Sequence, residues 1–275
     1  MKRREFLGSA AAASTLAFMG NYSWAKPSQP IGVQLYTVRN AMYKDVPGTL
    51  KKVAEIGYTH VEGASYDGAK YYGMLPADFK MQLADVGLKM PSAHIGLNFF
   101  EKNVEKTIED AVNVGLEYIV MPWLGPNLRS YEGYKKVIEV LNNANEKANG
   151  SGVTLGYHNH DFEFLGDIVP MDMLMNEMDS SIIMELDLYW ISRVEKSPVE
   201  FFKKYPGRTH LWHVKDMEDS EEKSFAPVGT GTIDFKPVFE NTELSGLKYF
   251  FVEQDRTKGD PFDAITTSYG NVVKF

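Results

Sequence analysis

Cysteine is absent from the 275 residues, and basic side chains are fewer than acidic ones, 29 against 37. The lack of cysteine excludes disulfides, thiolate catalysis and cysteine-ligated zinc. The formal net charge of −8 disfavours a phosphate backbone as partner, so we expect no binding of nucleic acid. No Pro/Ser-rich linker or block of charge divides residues 26–275, which we interpret as a single domain.

The first 25 residues have the pattern of an export signal. Lys-Arg-Arg at 2–4 precedes a short apolar run at 6–19, and Ser-Trp-Ala at 23–25 fits a small-x-small cleavage site. Paired arginines followed by Glu-Phe-Leu favour the twin-arginine type of signal peptide. The run is shorter than the roughly 20 residues of a membrane span, so we expect no stable membrane anchor after processing. The expected product is a periplasmic protein of residues 26–275 with a net charge of −10, because the signal carries three basic and one acidic residue.

Short apolar or β-branched runs alternate with longer helical stretches from Ile31 onward, which is typical of a parallel α/β sheet. Helical stretches at 46–56, 78–86 and 104–114 each end at a glycine suited to a left-handed cap. Eight such runs, with a closing segment at 261–275, favour a closed (β/α)8 TIM barrel, and an open doubly wound sheet is the alternative. The predicted strands are residues 31–36, 60–62, 89–94, 118–121, 154–157, 182–187, 209–213 and 249–253.

Acidic and imidazole side chains accumulate where these predicted strands end, which is the active-site face of such a barrel. A lone histidine there is more often a structural residue, but several on one rim indicate a site. Asp187 and Glu253 each end an apolar run, which places them at the barrel mouth rather than among solvated loop acids. Four of the six histidines fall at predicted strand ends: His94, His158, His160 and His213.

Carboxylates and imidazoles that converge without a thiol make a site of oxygen and nitrogen ligands. Such a site suits manganese, magnesium, cobalt or zinc. Asp187 and Glu253 would repel each other strongly at one mouth without a cation between them. The sequence therefore predicts one divalent metal ion as cofactor.

Five motifs, in this order, give the chain a family resemblance. They are GYHNHDFEF at 156–164, ELDLYW at 185–190, HVKD at 213–216, VGTGTIDF at 228–235 and VEQD at 252–255. The chain resembles the xylose isomerase-like barrel superfamily, specifically its sugar phosphate isomerase/epimerase-type members. The likeness spans all of residues 26–275.

The resemblance implies one metal ion held by strands five to eight, and movement of a proton next to a carbonyl through an enediolate. The implied ligands are His158, Asp187, His213 and Glu253. Relatives of the ketose epimerase type carry a glutamate on strand five, where this chain has His158, with Glu163 a few residues on. The ligand from strand five therefore departs from the family pattern.

Other residues near these strand ends are expected to transfer protons or contact the sugar. Lys215 is expected to hold a developing oxyanion, and the tryptophans offer flat apolar faces unless they are ordinary core residues. The catalytic candidates are Glu253, His160, Glu163 and Lys215. The candidates for substrate binding are Glu62, His94, Trp123, Trp190 and Asp255.

The expected substrate is a small unphosphorylated sugar or keto-sugar, because an exported protein meets few phosphorylated metabolites and the sequence has no glycine-rich phosphate cradle. Isomerisation or epimerisation is the expected outcome. Elimination from a 3-keto glycoside shares the first step and is the leading alternative. A non-catalytic carbohydrate-binding barrel is the alternative from another class, while negative charge disfavours a DNA-repair nuclease. Barrels of this kind are often homodimers, and that expectation stays open.

Overall fold

A computed structural model describes residues 30–166 and 169–275, so the predicted signal at 1–25 lies outside the described residues. Within the described part, no helix is apolar over a length sufficient to cross a membrane. The strands are β1 (Ile31–Gln34), β2 (His60–Gly63), β3 (Lys89–His94), β4 (Tyr118–Met121), β5 (Thr154–His158), β6 (Ile183–Asp187), β7 (Leu211–Val214), β8 (Asp216–Met217), β9 (Phe225–Ala226) and β10 (Tyr249–Val252). The α-helices are α1 (Arg39–Met42), α2 (Val46–Ile56), α3 (Pro76–Asp85), α4 (Leu97–Lys102), α5 (Val104–Val114), α6 (Tyr131–Ala148), α7 (Pro170–Glu177), α8 (Leu188–Arg193), α9 (Pro198–Lys204), α10 (Lys236–Phe239), α11 (Thr242–Ser245) and α12 (Pro261–Val272).

Eight parallel strands close into a barrel in the order β1, β10, β7, β6, β5, β4, β3, β2. The closure is made by β1 and β10, where Ile31 lies opposite Phe250. Helices fill the crossovers between successive barrel strands. The predicted (β/α)8 TIM barrel is confirmed. The alternative of an open sheet is wrong, because the first and last barrel strands are hydrogen-bonded to each other.

The helix ends follow the local chemistry of the chain. Asp45 caps α2 by accepting a hydrogen bond from the Gly48 amide, and Gly57 ends this helix with a φ of 119°, which is strained for any residue with a Cβ atom. Helices α2 and α5 have the predicted bounds, whereas α3 begins at Pro76, two residues before the predicted start. Proline fits the first turn because its missing N–H would have no partner there.

Side chains alternate between the inside and the outside of the barrel along each strand. Inside, near the start of the strands, five buried residues form an apolar floor, and they are Tyr118, Val120, Ile183, Leu211 and Phe251. Outside, Trp212 packs between the sheet and the helices, stacked on Phe202 at 5.1 Å between ring centroids. The inner positions above the floor are polar or charged, so the barrel changes from apolar to ionic toward the carboxyl ends of its strands.

The segment after β7 is organised by one carboxylate, Asp216. Its oxygens accept hydrogen bonds from the amides of Met217, Gly229, Gly231 and Ile233. A Cβ atom on Gly231 would lie 2.3 Å from the carbonyl oxygen of Met217, so only glycine fits. This accounts for the VGTGTIDF motif as a ring of backbone donors that fixes the loop following β7.

Candidate metal centre

Inward-facing residues two apart on neighbouring strands form one charged cluster at the carboxyl ends of the strands. β6 supplies Glu185 and Asp187, while His213 and Lys215 lie at the end of β7. Because side chains repeat every two residues along a strand, the members of each such pair face the same side. The other inward pairs are Glu253 and Asp255 after β10, His158 at the end of β5 with His160 beyond it, and Ser92 and His94 on β3.

Asp187, His213 and Glu253 come together as the sequence predicts. One ligand atom of each lies within 4.8 Å of those of the other two, and all three side chains are buried. The Nε2 atom of His158 lies 3.7 Å from Asp187 Oδ2, so the predicted fourth ligand is adjacent. Two carboxylates and two imidazoles suit a hard or intermediate divalent ion.

The buried atoms of this set fit such an ion. Among the described residues, Asp187 Oδ2, His213 Nδ1 and Glu253 Oε2 have no aligned hydrogen-bond partner. The charges of the two carboxylates are balanced by Lys215, but three neighbouring buried atoms without aligned hydrogen bonds are an arrangement that fits the ligands of an ion. The second oxygen of Asp187 is used differently, because Oδ1 caps α8 by accepting hydrogen bonds from the amides of Tyr189 and Trp190.

Two further carboxylates, Glu62 and Glu185, lie behind the ligand histidines. His213 Nε2 is 2.5 Å from Glu62 Oε2, while its Nδ1 atom faces Glu253 Oε2 at 2.6 Å. His158 Nδ1 is 3.2 Å from Glu185 Oε2, while its Nε2 atom faces Asp187. Each ring thus presents one nitrogen to the ligand set and the other to a buried carboxylate, an arrangement that fixes the orientation of a metal-binding histidine.

Glu185 also belongs to a second group of possible ligands, deeper in the barrel. One ligand atom from each of His94, His158, Glu185 and His213 lies within 4.8 Å of the others. His94 Nε2 is hydrogen-bonded to Glu185 Oε2 at 2.7 Å. This group shares His158 and His213 with the outer set, which consists of Asp187, His213, Glu253 and His158. A ring nitrogen that is hydrogen-bonded to a carboxylate, as His94 Nε2 is, is not free for an ion. The outer set is therefore the better candidate for a metal site.

The two ligand histidines differ in charge. Burial, followed by the neighbouring charge of His213, lowers the pKa of His158 to about 3, so this ring is neutral and able to bind a metal. Burial opposes protonation of His213 as well, but the carboxylates of Glu185, Glu253 and Glu62 together outweigh it and raise the pKa well above its usual value. Burial raises the pKa of Asp187 to about 6, despite Lys215 and His213.

Three predicted residues, His94, His160 and Trp190, lie beside the cluster, and a fourth, Trp123, lies at the surface. The side chain of His94 is 12% exposed and reaches both Glu185 and Glu62. His160 packs beside Trp190 at 5.4 Å between ring centroids, and its centroid is 5.2 Å from that of His158. Trp123, half exposed, lies farther out, with the Arg129 guanidinium 5.3 Å from its ring centroid.

Glu62 and Glu163 are buried behind protein partners. Glu62 was expected to bind sugar hydroxyls, but its oxygens are occupied by Gln34 at 2.7 Å, by Ser92 at 2.5 Å and by His213. Glu163 accepts hydrogen bonds from the Tyr157 hydroxyl at 2.7 Å and from the His160 amide at 2.8 Å. These contacts give Glu163 the role of an anchor for the loop after β5, and its catalytic role stays a prediction.

Sequence reasoning missed four polar residues of the cluster. Glu185 was detectable, since it precedes Asp187 by two residues on a strand and must share its face. The Asn159 side chain accepts a hydrogen bond from the Asp187 amide at 3.0 Å and so supports the end of β6. Gln34 and Ser92 are single polar residues within apolar runs, and no sequence signal marks them.

Replacing Glu62 or Glu185 with glutamine should weaken Mn²⁺ binding roughly 10- to 100-fold, because each loses the charge that orients a ligand histidine. Isothermal titration calorimetry on the two variants measures this. Glu101→Gln is the control, since Glu101 pairs with Lys136 instead, at 2.9 Å. Affinities within twofold of the wild type for both variants would show that these carboxylates do not support the ligands.

Comparison with known proteins finds a matching family model, similar sequences and solved structures of the same fold. A family model described as xylose isomerase-like TIM barrel matches residues 50–261. An inosose dehydratase of Erwinia tasmaniensis is 23% identical over 256 residues, covering 78% of this chain and 84% of that protein. A sugar phosphate isomerase/epimerase of Parabacteroides distasonis is 26% identical with a TM-score of 0.78, covering 90% of this chain and 98% of that one. A xylose isomerase-like TIM barrel protein of Mycobacterium smegmatis in complex with magnesium shares the fold, with a TM-score of 0.67 at 16% identity over 90% of this chain and 96% of that one.

Proposed function

Since the chain belongs to the xylose isomerase-like TIM barrel family, we propose that it is a divalent-metal-dependent isomerase or epimerase of an unphosphorylated sugar or keto-sugar. The observation that carries the proposal is the convergence of Asp187, His213 and Glu253 at the mouth. A divalent ion bound there supplies a Lewis acid that polarises a carbonyl and lowers the pKa of the neighbouring C–H. The reaction we assign is removal of that proton to give an enediolate.

Glu253 is the residue that we assign as the base. Burial would raise its pKa, but Lys215 and His213 hold it well below the usual value, so the carboxylate is ionised at neutral pH. The Lys215 ammonium, 2.6 Å from Glu253 Oε2, lies where it can stabilise an oxyanion beside the base. Burial lowers the pKa of His160 and keeps its ring neutral, so we propose that it relays a proton without retaining it.

The charge of the mouth supports an unphosphorylated substrate. Glu185 and Asp255 lie beside the ligand-set carboxylates Asp187 and Glu253, and this concentration of acidic side chains favours a substrate without a phosphate group. The export signal predicted at residues 1–25 supports the same substrate class, and we propose that the protein works in the periplasm. The name of the Parabacteroides relative refers to a sugar phosphate. That substrate belongs to the relative, and the substrate that we propose for this chain carries no phosphate.

Elimination is a second candidate, favoured by the relatives named inosose dehydratase. A dehydratase removes the same proton and then expels an oxygen substituent instead of returning a proton to carbon. That outcome needs an acid near the leaving oxygen, and we assign this role to His94, whose partly exposed side chain is hydrogen-bonded to Glu185 Oε2 at 2.7 Å. Burial opposes its protonation, but Glu62 and Glu185 raise its pKa.

Exchange in deuterated water tests both candidates. Manganese-loaded protein is incubated with free ketoses, inososes and 3-keto glycosides, and the products are followed by NMR. We expect deuterium on the carbon next to the carbonyl. An isomer or epimer supports the first candidate, and loss of water or of the glycosidic group supports the second.

Two controls define the limits of that experiment. Protein stripped with a chelator should give no exchange above background. Phosphate esters of the same sugars should exchange more slowly, and faster exchange would contradict the substrate class. The absence of both exchange and a new product with every compound, despite bound metal, would contradict both candidates and favour a carbohydrate-binding barrel.

A further inference from the structure

Lys215 lies among three carboxylates at the mouth of the barrel and is 2% exposed. Its Nζ atom is 2.6 Å from Asp255 Oδ1, 2.6 Å from Glu253 Oε2 and 2.9 Å from Asp187 Oδ2. Two of these oxygens are the atoms that the metal-ligand set offers to an ion. The ammonium and a divalent ion would therefore contact the same two oxygens.

The three contacts of Lys215 are not equivalent. The contact with Asp255 Oδ1 is an aligned hydrogen bond. Within the described residues, Glu253 Oε2 and Asp187 Oδ2 have no aligned partner, although the ammonium is close to both. One N–H of the ammonium thus donates to Asp255, and its contacts with the other two oxygens are ion pairs without hydrogen-bond alignment.

An ion bound about 2.1 Å from Glu253 Oε2 would lie no more than about 5 Å from Lys215 Nζ. At that separation in a buried site, two positive charges repel each other appreciably. We propose that Lys215 is a built-in competitor of the divalent ion, and that Asp255 retains the ammonium when the ion takes Asp187 and Glu253. This inference rests on the proposed function, because it concerns the metal site of that reaction.

If Lys215 competes with the ion and Asp255 retains the ammonium, replacing these two residues should change the metal affinity in opposite directions. Lys215→Met removes the competing charge and should tighten Mn²⁺ binding at least 10-fold. Asp255→Asn leaves the ammonium with only the metal ligands as anionic partners and should weaken binding at least 10-fold. In the Lys215→Met background, Asp255→Asn should change the affinity by less than threefold, since no ammonium is left to retain.

Calorimetric titration of chelator-stripped protein with Mn²⁺ measures these affinities, and thermal unfolding in chelator gives a second readout. Lys215→Met should lower the midpoint of unfolding in chelator, because buried carboxylates lose their cation, and Mn²⁺ should then raise it by more than in the wild type. The matched control variants are Lys204→Met and Asp172→Asn. In the wild type, Lys204 Nζ and Asp172 Oδ1 form an ion pair of 2.6 Å that joins α9 to α7. Both control variants should bind Mn²⁺ as the wild type does.

Weaker Mn²⁺ binding by both Lys215→Met and Asp255→Asn would assign the pair a structural role only and overturn the proposal. If Lys215→Met does not fold, Asp255→Asn decides, and affinity equal to or above that of the wild type overturns it. Wild-type protein that binds none of Mn²⁺, Mg²⁺, Co²⁺ and Zn²⁺ would instead remove the metal site, and with it the proposed function.

Discussion

Asp187→Asn should abolish useful metal binding while leaving the barrel folded. The two oxygens of Asp187 have separate roles, because Oδ1 caps α8 and Oδ2 faces the ligand set. Asparagine keeps an acceptor for the Tyr189 and Trp190 amides and is a good helix cap, but it replaces the ligand oxygen with an N–H donor. We expect Mn²⁺ affinity to fall on the order of 100-fold or more, about 3 kcal/mol, and turnover to be lost with it.

Calorimetry and circular dichroism together check this result. Asp45→Asn is the matched control, because Asp45 also caps a helix and its change leaves the mouth untouched. We expect that control to keep both Mn²⁺ affinity and helical signal. Full-strength Mn²⁺ binding by Asp187→Asn would show that the ion is held elsewhere, with the deeper group that contains Glu185 and His94 as the next place to test.

Glu253→Gln should reduce hydrogen exchange next to the carbonyl by at least about 1,000-fold, because the change removes the assigned base and one ligand oxygen together. A high metal concentration distinguishes the loss of the base from the loss of the ligand oxygen. Saturating Mn²⁺ restores the ion but not the base, so we expect exchange to stay low when occupancy is complete. The measurement is the rate of deuterium incorporation by NMR, with metal occupancy followed by calorimetry.

Glu117→Gln is the control for that experiment. Glu117 accepts a hydrogen bond from Tyr249 at 2.8 Å near the opposite end of the barrel, so exchange should stay close to that of the wild type. Recovery of exchange in Glu253→Gln at saturating Mn²⁺ would leave Glu253 as a ligand only. The base would then have to be sought elsewhere in the pocket, beginning with His160.

The alternation of runs along the chain was sufficient to predict the barrel and the convergence of Asp187, His213 and Glu253 at its mouth, whereas their role as metal ligands is implied by the family resemblance and stays a prediction. Asp187 and Glu253 each follow a buried apolar run, so their place at the ends of β6 and β10 depends on local sequence alone. His213 follows from the same logic on β7. Strand bounds were less well predicted, since β1 ends at Gln34 and β7 begins at Leu211, two residues from the predicted limits in each case.

The positions of the buried carboxylates around the site depend on tertiary contacts, which the local sequence does not reveal. Glu62 was expected to meet the sugar, yet barrel closure places it against His213, from a strand 151 residues away along the chain. Glu163 follows β5 closely in sequence, but the short 3-10 turn Phe162–Phe164 directs it back to Tyr157. Which way a loop turns after a strand is set by such side-chain partners, and a single sequence does not show them.

Pairing of β10 with both β1 and β7 links the candidate ligand set to the closure of the barrel. β5, β6 and β7 are neighbours in the sheet and come one after another among the barrel strands, so His158, Asp187 and His213 are able to meet before the barrel closes. Glu253 follows β10, which joins last along the chain and completes the closure. The candidate ligand set is therefore complete only in a closed barrel, and binding of an ion by all four residues would report that closure.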